Sequence, residues 1–139
     1  MTVTVVVIGT DATAEVLWLD RAELSSRLND LVGGLYDVVS LGRAGDAWVN
    51  DEGLYLCEPN PAATIVAWRR QHVEDPERLS PPLFGPVVLT GGVDSRGDTV
   101  SLSTEEAEQV MVEVRQLAVS RRAMARLRGA AETYQLSFR

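Results

Sequence analysis

A chain of 139 residues, 45% apolar and 24% charged, suits one soluble globular domain able to bury well over half of its unfolded surface. One cysteine (Cys57) and one histidine (His72) exclude an intramolecular disulfide and a His/Cys metal cluster, and no run reaches the ~18 apolar residues of a membrane span. The net charge of −7 is uneven: residues 1–113 hold 19 acids against 7 Arg, and residues 114–139 hold 6 Arg against Glu132 alone.

Residues 2–8 are β-branched almost throughout, which predicts a strand buried on both faces. This start is apolar but has no positive leader and is too short for a signal peptide, so the expected location is the cytoplasm, or the host cytoplasm for a viral product. Residues 9–12 read as a turn and 14–19 as the second strand of a hairpin. Asp20 and Glu23 have the spacing of a capping box, and Leu24, Leu28, Leu31 and Val32 share one helical face before Gly33-Gly34 stops the helix. A strand over 35–41, a turn over 42–45 and a strand over 46–50 follow. Asp51-Glu52-Gly53 reads as a tight turn in which Gly53 supplies a positive φ, and 54–57 as a short strand.

Asn60 caps, and Pro61 opens, a helix to about residue 71 that is apolar nearly all round and therefore expected in the core. Residues 72–83, with three prolines, predict a surface loop, 84–90 a strand, 91–97 a turn and 98–102 a short strand. Ser103 and Glu106 have capping-box spacing, and Ala107, Val110, Met111, Val114, Leu117 and Ala118 form one stripe of a final helix. Beyond Ala118, Arg121 and Arg128 fall on that stripe, while Arg115, Arg122 and Arg126 align on another face. The predicted core includes Val5, Val7, Leu17, Leu28, Leu31, Val38, Val49, Ile65, Val66, Val88 and Val114. The whole reads as an α+β domain, a mostly antiparallel sheet with helices packed on one face and a longer C-terminal helix. Residues 1–113 form its core, and the Arg-rich helix and tail of 114–139 continue the same domain.

Catalytic and metal chemistry finds little to work with. His72 opens a polar loop and Cys57 ends a strand, so neither has a partner for covalent catalysis. Gly91-Gly92-Val93-Asp94 follows a strand but lacks the Lys or glycine spacing of a phosphate loop, and Arg96-Gly97-Asp98 reads as a hairpin tip. Asp46, Asp51, Glu52, Asp94 and Asp98 are turn carboxylates, better suited to solvating the turns than to acid–base work. Asn50 and Asn60 have sufficient roles in a turn and a cap. Trp18, Trp48 and Trp68 read as core, and any one exposed on a sheet face or edge would be an anchor for a partner. No cofactor, no metal and no catalysis are expected.

Leu31-Val32-Gly33-Gly34, Ala47-Trp48-Val49-Asn50-Asp51-Glu52-Gly53, Asn60-Pro61-Ala62-Ala63-Thr64 and Gly85-Pro86-Val87-Val88-Leu89-Thr90-Gly91 form a series. It resembles a small family of unknown function carried mainly by bacteriophages, plasmids and their bacterial hosts, over roughly residues 2–105. The resemblance implies an accessory product that acts by binding, with a host factor as the expected target, and it names no activity. All 13 basic residues are Arg, which fits a GC-rich genome such as that of an actinobacterium or one of its phages.

Two functional expectations follow. The first is a non-catalytic protein-binding or self-associating module, a homodimer whose basic ends lie against the partner's acidic body. Its candidate partner-binding residues are Arg115, Arg121, Arg122, Arg126, Arg128, Tyr134 and Phe138, with alternating Tyr134, Leu136 and Phe138 forming a terminal strand. The alternative is a nucleic-acid-binding accessory protein that uses the Arg115, Arg122 and Arg126 stripe, against which the acidic body would repel phosphate.

Overall fold

Five antiparallel strands form one sheet in the order β2-β1-β5-β4-β3, in a computed structural model that describes residues 1–71 and 80–138. Strand β1 (Thr2–Ile8) turns through residues 9–13 and pairs along its whole length with β2 (Ala14–Asp20). Strands β3 (Tyr36–Ser40) and β4 (Asp46–Asn50) make a second hairpin. The late strand β5 (Val87–Thr90) inserts between the hairpins, pairing with β1 on one side and β4 on the other. Every residue of β5 is buried, as a central strand covered on both faces must be.

Alternation along β1 divides the core. Val6 and Ile8 join Ala47, Val87 and Leu89 beneath α3 (Pro61–Gln71) and α4 (Thr104–Val119). Val3 and Val5 join Leu19 and Val88 beneath α1 (Leu24–Val32), which carries the chain from edge strand β2 to the opposite edge, β3. Helices thus cover both faces of the sheet, where the sequence reading had one. Of the predicted core, Val5, Leu28, Val66, Val88 and Val114 are buried; Val7, Leu17, Leu31, Val49 and Ile65 are half-buried against the clusters. Val38 is the correction: it is 46% exposed on edge strand β3, beyond the reach of a nine-residue α1.

Local signals decide where elements begin. Asp20 accepts the Ala22 N–H and starts one turn of 3₁₀ helix (Arg21–Glu23), not the expected capping box, and Glu23 then precedes α1 with no side-chain cap. Gly33 ends α1 at φ 81°, a left-handed conformation that costs a residue without Cβ little. The strand expected over 54–57 is instead a single helical turn, α2 (Gly53–Leu56), since so short an apolar run fits either state. Gly53 takes no positive φ; a Cβ there would lie 3.1 Å from the Phe84 carbonyl oxygen, so close packing is what favours glycine.

Of the expected loop, Ser80–Leu83 lie outside helix and strand, and His72 lies outside the described residues. The expected strand over 98–102 is reduced to one bridge, Val93 to Thr99, although the Leu102 N–H reaches the Thr4 carbonyl at 3.0 Å. At α4 the capping box is complete: Ser103 accepts from the Glu106 N–H, and the Glu106 carboxylate accepts from the Ser103 N–H. Helix breaks at Ser120 and resumes as α5 (Arg121–Leu136), which replaces the terminal strand expected from Tyr134, Leu136 and Phe138. Among the described residues no helix is long and apolar enough to cross a membrane.

Candidate partner-binding surface

Helix α5 docks on its own body through a stripe that its sequence disguises. Met124, Arg128, Ala131 and Gln135 recur at the spacing of one helical face, and Ala131 and Gln135 are buried. The Arg128 guanidinium donates from Nη2 to the Thr10 carbonyl at 2.6 Å and from Nη1 to the Pro59 carbonyl at 3.4 Å. Gln135 Nε2 donates to the carbonyls of Leu54 and Cys57, both at 2.9 Å, which satisfies the open end of α2. The break at Ser120 leaves Arg121 exposed, while the inward positions resume at Met124. Arg128 lies on the inward stripe, as its spacing predicts, but its guanidinium is satisfied by carbonyls and so is no obstacle to docking.

The remaining candidates lie elsewhere on the surface. Arg121, Arg122 and Arg126 are exposed on α5, and Arg115 is exposed on α4, so the break separates the proposed stripe between two helices. Among the described residues the ion pairs are Arg69 and Arg70 with Glu113, at 3.0 and 2.9 Å; none involves the C-terminal arginines. Tyr134 is half-buried, with its ring centroid 5.0 Å from that of Phe138, and it lines an apolar cleft with Leu54, Phe84, Pro81 and Pro82.

Next to this end, a second cleft is lined by Tyr55, Leu56, Glu58, Glu132 and Leu136. Its apolar side chains are open to solvent: Tyr55 is 57% exposed, Leu56 69% and Leu136 62%. Sequence reasoning found Leu136 but missed Tyr55 and Leu56, which it assigned to a strand. Trp18, on edge strand β2, is likewise exposed at 67%, whereas Trp48 stacks edge-on to Tyr36 and Trp68 donates to the Ser80 carbonyl.

The residues of the conspicuous segments serve the architecture. Asn60 is fully buried: its Nδ2 donates to the Ile8 and Gly85 carbonyls at 2.9 and 2.8 Å, and its Oδ1 caps α3 by accepting from the Ala63 N–H. Thr64 Oγ1 accepts from the Leu83 N–H, and Thr90 Oγ1 accepts from Trp48 Nε1. Asn50 Nδ2 donates to the Val32 carbonyl while its Oδ1 accepts from the Glu52 N–H. These polar groups are satisfied within the chain.

The acidic candidates are dispersed. Asp94 accepts the Arg96 and Asp98 N–H groups of its own turn. Burial pushes the Asp46 carboxyl above its ordinary range and the Cys57 thiol above its own, while the Thr13 hydroxyl holds Asp11 low. Among the described residues no three of His, Cys, Asp or Glu gather in a way that could hold a metal ion.

A family model described as a domain of unknown function (DUF3846) matches residues 1–115, which takes in the whole sheet and most of α4. No curated protein and no solved structure matches the chain. The match spans well over half of the sequence and stops short of α5, and on it the chain belongs to the DUF3846 family.

Proposed function

We propose that the chain is a non-catalytic, protein-binding accessory protein of a bacteriophage or other mobile element of actinobacteria, acting in the host cytoplasm. The observation that carries this reading is the cleft between α2 and α5, where Tyr55, Leu56 and Leu136 lie open to solvent beside one another. A folded domain gains by burying such side chains, and a contiguous exposed set marks a surface that another protein covers. The exposed carboxylates that line it, Glu58 and Glu132, supply a polar rim.

Affinity capture of the tagged chain from lysate of a bacterial host at low and high salt tests the reading. A protein retained at high salt, and lost with Leu56→Ser and Leu136→Ser, supports it. Capture of nucleic acid alone, released as salt rises, favours the arginine-mediated alternative and overturns it.

A further inference from the structure

Resting on that protein-binding reading, we propose that the surface is covered by a second copy of the chain, with the two α5 helices packed antiparallel about Gly129. At 100° per residue, Arg122, Ala125, Arg126, Gly129, Glu132 and Leu136 share an arc about 120° wide on the side of α5 away from its docking stripe, and all six are exposed. The charges along this arc are ordered, basic at its start and acidic at Glu132 near its end. Arg126 lies three residues before Gly129 and Glu132 three after it, so a two-fold axis at Gly129 sets each arginine opposite the other copy's carboxylate. Arg122 and Leu136 are likewise equidistant from Gly129, which brings Arg122 of one copy to the cleft where Glu58 of the other is exposed beside Leu56 and Leu136.

A parallel pairing would set arginine against arginine, so the face is complementary to itself in one orientation only. Each cleft is then covered by the other copy's Arg122, whose aliphatic stem lies over Leu136 while its guanidinium meets Glu58. Gly129 fits this arrangement: it lies inside a helix, where glycine is disfavoured, and nothing within the chain comes within 4 Å of a Cβ placed there. At the two-fold axis its missing side chain lets the helices approach closely.

Sedimentation equilibrium of the full chain over a micromolar range is the test. The wild type should dimerise, less tightly at high salt. Arg126→Glu and Glu132→Arg should each weaken association about tenfold or more, and an equimolar mixture of the two variants should restore it, because opposite charges then face one another again. Gly129→Leu should abolish the dimer with helical content unchanged. A dimer insensitive to all three substitutions, or a mixture that fails to recover, overturns the proposal. A wild-type monomer at tens of micromolar that still captures a host protein through Leu56 overturns the second copy and leaves the binding reading intact; a monomer that captures nothing overturns both.

Discussion

Asn60 shows how much one side chain can join. Its cap on α3 is legible from Asn60-Pro61, since a cap and its helix are neighbours in sequence. Its two carbonyl partners are 52 and 25 residues away, and no local pattern announces them. Asn60→Ala should therefore cost about 3–5 kcal/mol, well above a lost cap, because it leaves the Ile8 and Gly85 carbonyls without their donor in the core. Urea unfolding measures this, and a loss below about 1 kcal/mol would mean that water replaces the amide. Asp46 gives the opposite kind of test. Its carboxyl is raised by burial, so its charged form opposes folding: stability from this residue is complete at acid pH and declines as pH rises through the raised value. Asp46→Asn should raise the melting temperature slightly at pH 7, and the gain should vanish near pH 3, below the ordinary Asp range.

Elements with a strong local signal were legible in sequence: β1, β2, α3, the end of α1 at Gly33 and the start of α4 stand where their caps and periodicity put them. Elements whose state depends on distant partners were not. Residues 53–56 form a helical turn whose open carbonyls, Leu54 among them, meet Gln135, 81 residues on from Leu54, a contact invisible locally. The α4–α5 break sits at Ser120, which is neither Gly nor Pro, so the stripe seemed to run on as one helix with Arg121 and Arg128 interrupting it. Ser103→Ala should remove the bond from the Glu106 N–H while leaving the Glu106 carboxylate on the backbone N–H of residue 103, and cost about 1 kcal/mol, a fall of roughly 4 °C in melting temperature. Arg128→Ala should loosen α5 selectively, raising amide exchange over its length while the sheet keeps its protection. Arg128→Lys should not rescue it, since one ammonium lacks the fork that reaches the Thr10 and Pro59 carbonyls together. Uniform exchange throughout the Arg128→Ala chain would show that α5 does not open independently.

At the scale of the molecule, the α+β class followed from the order of elements, but the arrangement of strands did not. Sequence neighbours pair in β1–β2 and β3–β4, as hairpins do, while nothing in β5 itself says that it goes to the middle. The same insertion makes α1 a cover for the second face, because its chain must cross from one edge of the finished sheet to the other. A fragment ending at Pro86 should show no cooperative melting by circular dichroism, as the two hairpins share no ladder without β5. Cooperative melting of that fragment would give the helices, and not β5, the role of uniting the sheet.

The central place of β5 also bears on how the protein is made. Both hairpins emerge from the ribosome before Val87–Thr90 do, so until β5 follows the inner edges of β1 and β4 are open ladders with nothing beside them. Pairing of those edges with a neighbouring nascent chain competes with folding until the last strand arrives. Slowing translation after both hairpins have emerged from the ribosome but before β5 has should therefore raise the aggregated fraction, whereas a pause placed after β5 has emerged should leave yield unchanged.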